Sequence, residues 1–558
     1  MHDLVIRNAL IVDGTGAPRY ASDVAVNGGR IVAIERNPGP ARETIDADGL
    51  MLAPGIIDGH THYDAQLTWD PYVDPSPAHG VTTTVIGNCG FTIAPCRPAD
   101  RDLTMRNLTH VEGMSLDALR HGVAWEFESF PDYLDMLSRR GVGPNVAAFV
   151  GHSSLRTYVM GADASQRTAS ESEVAQMQRL VREAMGVGAV GFATSTSEAH
   201  NGEAGLPMPS RLADQREMQA LVSAMGESGR GTFMLTRGSA TSIPWIETLA
   251  AACGRPTLVA AMFYNHLDPD SVFTLNGEMR AARGRGHDVI PQVSCCPVTM
   301  EFTLQSPYVF ESLPAWAPAM AAHGEALKRL YADPGFRAGV KDDIASSRGL
   351  LFKGEWDKLH VVVAADPKHR ALEGKSIAEL ADAAGQHPLD WFLDFGLRED
   401  LSTLFTGVLV NSDERGVGRL ITDPDNHVAL SDAGAHLTFF CDVGFGLYLI
   451  GHWAGYLGVI SIEEAVRRLT GQPAAIFGIR DRGRLVPGAA ADLLLFDPAT
   501  VGRTTARRVN DLPSGAARLV TAPRGVHGVW VNGELVADST GLVAGGRMPG
   551  RVLRKFAS

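Results

Sequence analysis

The chain has 558 residues, 45% of them hydrophobic and 20% charged, with a formal net charge of −13. This composition is globular and excludes a disordered, collagen-like or coiled-coil chain. The negative balance repels phosphate backbones, so nucleic acid is not an expected partner.

The start, Met1-His2-Asp3-Leu4-Val5-Ile6-Arg7, lacks the basic and apolar regions of a signal peptide. No window holds the ~18 uninterrupted apolar residues of a membrane span. Six cysteines, at 89, 96, 253, 295, 296 and 441, are too few for a disulfide framework in a chain of this length. They point to a reducing, cytoplasmic setting.

The first 50 residues read as short strands separated by turns at Asp13-Gly14-Thr15-Gly16 and Asn27-Gly28-Gly29. The far end reads alike: Asp492–Phe496 and Val526–Val531 are strand-like, and Asn532-Gly533 closes a hairpin with Glu534-Leu535-Val536. Neither end alone can bury a core. Residues 1–52 and 483–558 are therefore expected to build one small β-sandwich domain together.

Between them, apolar runs alternate with helical patterns. Eight candidate strands are Gly55–Asp58, Val81–Ile86, Asn145–Val150, Ala189–Ala193, Gly231–Leu235, Thr257–Met262, Asp288–Val293 and Val428–Leu430. Helices fit between them, such as Glu171–Met185 and Asp214–Gly229. Eight such units predict an α/β fold, a (β/α)8 TIM-like barrel over 53–482. Residues 297–427 are too long for one connection and read as an insertion with its own helices, Ser376–Ala384 and Pro388–Phe395 among them, and a turn at Asp333-Pro334-Gly335.

The sharpest chemical signal is Pro54-Gly55-Ile56-Ile57-Asp58-Gly59-His60-Thr61-His62. Histidines at i and i+2 on an extended chain point the same way. They follow the first barrel strand, at the rim where barrels keep their chemistry. Two imidazoles converging there predict a metal site. Asp432 follows the eighth strand, where a carboxylate can take a proton from an attacking water and return it to a leaving nitrogen. No Gly-X-Ser-X-Gly elbow and no Walker loop competes.

The His-X-His segment and Gly488-Ala489-Ala490-Ala491-Asp492-Leu493-Leu494-Leu495-Phe496-Asp497 resemble the metal-dependent amidohydrolase superfamily over almost the whole chain. Gly80–Phe91, Val150–Arg156 and Leu430–His436 resemble its N-acyl-D-amino-acid deacylase (D-aminoacylase) branch. The resemblance implies one or two divalent ions, most simply zinc, with His60, His62, Cys89 and His266 as ligands. It also implies hydrolysis of a small-molecule amide, an N-acyl amino acid or a relative of one. Cys96, Cys253, Cys295, Cys296 and Cys441 lie outside the motifs and are read as structural.

The chain departs from the branch at the fifth strand, where Thr232-Phe233-Met234-Leu235-Thr236-Arg237 contains no histidine. A lysine expected after the sixth-strand histidine is Leu267. His436 either polarises a carbonyl or binds substrate. His152 and Arg156 either contact substrate or brace loops. Arg237 and Arg156 are the cations nearest the mouth for a substrate carboxylate. Leu267 favours neutral or apolar substrates instead. Asp64 is expected to support the histidine pair, and His79 to be structural. A hydantoinase-like cyclic-amide hydrolase is the alternative. It is disfavoured because the fourth strand, Val190–Thr196, has no lysine. A metal-poor relative that only binds a ligand is the other alternative. The sequence leaves the oligomeric state open, a homo-oligomer included.

Overall fold

The computed structural model describes residues 1–346, 352–543 and 547–557, the side chains of His110, Ala204 and Tyr308 excepted. Residues 347–351 of the expected insertion, and 544–546 and 558 of the C-terminal segment, lie outside the described residues.

Eight parallel strands form the centre: β1 (Ile56–Asp58), β2 (Val81–Ile86), β3 (Asn145–Gly151), β4 (Gly191–Ser195), β5 (Thr232–Thr236), β6 (Thr257–Met262), β7 (Val289–Val293) and β8 (His427–Val428). They are hydrogen-bonded in that order. Just past the strand ends, Thr61 bridges Ala433 in parallel and His62 N–H donates to Ala433 O at 2.7 Å. This contact brings the first and last strands together as in a TIM barrel. Both faces of these strands are buried, so they read as continuous apolar runs rather than alternating ones. β8 is shorter than expected because Leu430 takes a left-handed φ of 67°, which ends the extended chain.

Helices fill the crossovers. α1 (Arg101–Val111) lies between β2 and β3, and α2 (His152–Met160) begins directly after β3. α3 (Glu171–Val187) starts at a capping box in which Ser170 and Glu173 exchange side-chain and backbone bonds. α4 (Gln215–Gly226) is capped by Asp214.

Strands from both ends of the chain join in one nine-stranded sheet. The join is Leu493–Phe496 running antiparallel to Met51–Pro54, with Leu494 opposite Ala53. Asp492, from the Gly-Ala-Ala-Ala-Asp motif, is buried there. It accepts from Asn145 Nδ2 of β3 at 2.9 Å and from Asn532 N at 2.7 Å, and it pairs with Arg482. The motif therefore fastens the terminal sheet to the barrel.

The insertion has its own aromatic core, with Phe302, Phe310, Trp316, Phe392 and Phe405 buried together. It carries a three-stranded antiparallel sheet, Thr299–Phe302, Leu404–Val408 and Leu359–Val363, besides the expected helices. Asp333-Pro334-Gly335 is not an isolated turn. Asp333 caps a helix over Pro334–Ala345, accepting from Phe336 N at 2.7 Å, and proline is tolerated at that first helical position.

Candidate active site

The rim of β1 delivers His60 and His62. Gly59 precedes them because a Cβ there would stand 2.7 Å from His427 Nε2. Cys89 arrives in the turn after β2 with φ 56°, and Asp432 and His436 follow β8 with φ 47° and 52°. Three non-glycine residues in left-handed conformations mark a strained rim, where such strain commonly serves function. Gly434, at φ 90°, lets this loop close on β1, since a Cβ would come within 2.7 Å of the His62 backbone.

Four side chains converge. Cys89 Sγ lies 3.6 Å from His60 Nε2 and 3.9 Å from His62 Nε2. Asp432 Oδ1 lies 3.2 Å from the first and 3.4 Å from the second. The ligand atoms of His60, His62 and Cys89 all fall within 4.8 Å of one another. Ligands about 2.0–2.3 Å from one tetrahedral ion stand roughly 3.3–3.8 Å apart, so these donors fit a zinc-type ion.

Each histidine is held from behind. Gln292 Oε1 of β7 lies 2.7 Å from His60 Nδ1, and Glu112, just past α1, places Oε1 3.1 Å from His62 Nδ1. Thr236 Oγ1, at the end of β5, lies 3.1 Å from Cys89 Sγ.

Electrostatics agree with a cation site. Burial works against the charged form of Cys89, yet His60 and His62 hold its thiol below the usual range. Burial likewise opposes ionisation of Asp432, and the same imidazoles hold its carboxyl well below the usual carboxylate range. Against burial, the charges of Cys89 and Asp432 lift His60 to about 10. Two anionic groups thus face two imidazoles that they hold protonated, and a divalent ion would take the place of those protons.

A cavity of about 130 Å³ opens over the cluster. Besides the four converging side chains its walls include Glu112, His200, Thr236, His436 and an apolar set: Phe91, Val111, Ala260, Ala261, Phe263 and Leu430. No lysine or arginine stands among the described residues of the lining.

Of the residues expected from sequence, the structure brings together His60, His62, Cys89, Asp432 and His436. It does not bring His266. The loop after β6 docks on the insertion, with Tyr264 and Asn411 exchanging bonds at 3.0 and 2.7 Å, and His266 Nδ1 ends 3.3 Å from the Lys358 ammonium. His152 and Arg156 do not reach the cavity either. Both are fully buried on α2 around Glu217, with His152 Nε2 2.9 Å from Glu217 Oε1 and Arg156 ion-paired to it. They hold α2 to α4, so the bracing alternative is the one the structure supports. Arg237 turns back to donate to Thr241 O at 2.7 Å and does not line the cavity.

Asp64 accepts from Gly87 N at 2.9 Å and so braces the end of β2 rather than binding a histidine. Burial, partly offset by His62, lifts its carboxyl to about 7. His79 is buried between Pro75 O and Thr521 Oγ1, as a structural residue.

Sequence reading missed Gln292, Glu112, Thr236 and His200. Gln292 had a visible signal, a polar residue inside the apolar run Val289-Ile290-Pro291-Gln292-Val293. His200 had one too, lying in the loop after β4 on the functional rim. Glu112 had none, because its role depends on where α1 ends.

A second group, Asp366, His369 and Glu399 in the insertion, also lies within metal-ligand spacing. Its buried carboxylate is already taken: Glu399 accepts from Asp366 N at 3.0 Å and Thr403 Oγ1 at 3.1 Å and bonds His369 Nδ1. The group staples a loop.

Comparison with protein families matches residues 43–286 and 363–537 to the Amidohydrolase family. The chain is 28% identical to the D-aminoacylase of Alcaligenes xylosoxydans xylosoxydans over 562 residues, covering 100% of this chain and 98% of the relative. It is 30% identical to the N-acyl-D-aspartate deacylase of the same organism, covering 99% and 95%. Among solved structures it resembles the N-acyl-D-glutamate deacylase of Bordetella bronchiseptica, complexed with zinc and a phosphonate inhibitor, at 25% identity and a TM-score of 0.67, over 99% of this chain and 100% of that one.

Proposed function

Because the chain belongs to the amidohydrolase family, we propose that it is a metal-dependent hydrolase of a C–N amide bond. The observation that carries this reading is the convergence of His60, His62 and Cys89 on one point with Asp432 Oδ1 beside them. A divalent ion held by these three residues supplies, when bound, Lewis-acid polarisation of a carbonyl and a lowered pKa for water. With Thr236 at the end of β5 and His266 outside the group, the side chains present support one ion.

The chain's own residues do the rest. Asp432, held in its anionic form by the two imidazoles, accepts the proton of the attacking water. It then returns that proton to the departing nitrogen as the C–N bond breaks. Phe91, Val111, Phe263 and Leu430 exclude solvent from the cavity and favour an apolar substituent. In this reading residues 53–482 are the catalytic unit, and 1–52 with 483–558 brace it. The six free cysteines support a reducing, cytoplasmic setting.

The lining supports neutral amides over N-acyl amino acids. A free carboxylate would meet Glu112 and Asp432, with no arginine or lysine among the described residues of the lining to receive it. Arg156 and Arg237, the nearest cations in sequence, are engaged elsewhere. The test is kcat/KM for an N-acyl-D-amino acid beside its uncharged amide or aryl-amide analogue. Preference for the uncharged compound is expected, and a strong preference for the free acid contradicts the substrate class.

A further inference from the structure

Two imidazoles on the cavity wall, His200 and His436, have no part in the mechanism above. His200 sits in the loop after β4, its ring edge-on to Phe91 with centroids 4.9 Å apart. It shares the cavity with His62, Asp432 and His436. It is not in the group formed by His60, His62 and Cys89, whose ligand atoms fall within 4.8 Å of one another.

Its hydrogen bonds point to the nitrogen that carries the proton. Ser195 Oγ, at the end of β4, lies 2.6 Å from His200 Nδ1. The same oxygen accepts from Ser197 N at 3.1 Å. The hydroxyl has one proton, and among the described residues the acceptor it reaches is His200 Nδ1. Donation to Nδ1 is the arrangement that gives this hydroxyl proton a described acceptor, and in it Nε2 carries the hydrogen. Nε2 makes no hydrogen bond to the described residues, so this donor is left for the cavity.

We infer that His200, fixed by Ser195 as the Nε2–H tautomer, donates a hydrogen bond to the carbonyl oxygen of the bound amide. The inference rests on the hydrolase reading and adds a specific group to it. As water adds to the carbonyl carbon, negative charge grows on the oxygen. A donor already aimed there stabilises it without reorganising. No proton passes through His200. The carbonyl re-forms as the C–N bond breaks, and the nitrogen takes its proton from Asp432. Burial, with His436 and His62 nearby, holds the His200 imidazole below its usual range, so the donor is neutral.

The test uses His200→Leu, His200→Gln and Ser195→Ala in the metal-loaded protein, with an uncharged N-acyl amide as substrate. Removing the donor in His200→Leu is expected to lower kcat by about 10²–10³-fold, the usual worth of such a donor. KM and bound metal should hold. His200→Gln keeps an N–H and should recover part of the loss. Ser195→Ala frees the tautomer and should lose less than His200→Leu. Combined with His200→Leu it should add nothing. Affinity for a phosphonate analogue should fall in step with kcat/KM.

A kcat within a few-fold of wild type in His200→Leu overturns the inference alone. So does a rise in KM with kcat intact, or loss of metal in proportion to activity, which would make His200 a ligand. Should His200→Leu fail to fold, His200→Gln and Ser195→Ala give the same decision: both at wild-type kcat overturn the assignment. Wild-type protein that hydrolyses no acyl amide overturns the hydrolase reading itself, and this inference with it.

Discussion

Gln292 Oε1 accepts the Nδ1 proton of His60 across 2.7 Å, from β7, two strands away round the closed barrel. An amide oxygen cannot donate, so Nδ1 of His60 is the donor there, and Nε2 is the nitrogen that faces Cys89 and Asp432 and binds a metal once an ion replaces its proton. This arrangement presents a metal ligand already in the right tautomer. Gln292→Leu is expected to weaken metal binding by about 10–100-fold, the usual effect of removing such an outer partner. Competition with a chelator measures it, and unchanged affinity would leave Gln292 a packing residue.

Two buried cysteines of the same region should behave differently. Cys89 is held below the usual thiol range by His60 and His62, whereas burial pushes Cys96 up to about 11. Cys89→Ser should lose metal affinity, because oxygen is a poorer ligand for a soft site than thiolate. Cys96→Ser should keep it. Equal metal titrations for the two variants would return Cys89 to a structural role.

Arg156 is expected to act on stability and not on substrate. In Arg156→Leu the buried Glu217 keeps, among the described side chains, only His152, whose imidazole burial holds below its usual range. Breaking a buried pair in this way costs about 3–5 kcal/mol. The thermal midpoint should drop while KM of the folded protein is unchanged. A raised KM at unchanged stability would put Arg156 in the substrate site after all.

His79 gives the chain an acid-side weakness away from the metal cluster. Burial pushes its imidazole down to about 4. Unfolded, it titrates near 6.5, so between the two values the unfolded chain binds more protons and stability falls as pH falls. The contribution lost by pH 5 is about 2 kcal/mol at 1.36 kcal/mol per unit. His79→Gln should therefore shrink the difference in thermal midpoint between pH 7 and pH 5. An unchanged difference would contradict a neutral buried His79.

The fold was legible wherever burial was two-sided. The barrel strands stand out as apolar runs because helices cover one face and the barrel core the other, and only their ends shifted by a residue or two. The ligands on strand rims were legible for a related reason: His60, His62, Cys89 and Asp432 each follow a strand within a few residues, so the strand fixes their place. His266 follows its strand as closely as His62 and Asp432 follow theirs, but its loop docks on the insertion and obeys that rather than the barrel. His152 and Arg156 were misleading because a helix begins at once after β3 and turns them inward onto Glu217. Glu112 and Gln292 act on the histidines from elements distant in sequence, and no local pattern encodes that meeting.

The most direct measurement of the central claim is the rate of hydrolysis of an uncharged N-acyl amide by exhaustively chelated protein, before and after adding back zinc. The chelated protein should be inactive and should recover with about one equivalent of metal, the number this donor set holds. Asp432→Asn, run alongside, should bind that metal yet turn over about 10²–10⁴-fold more slowly, the usual worth of general acid–base catalysis. Full activity in chelated protein with no metal detected, or an Asp432→Asn rate within a few-fold of wild type, would contradict the account.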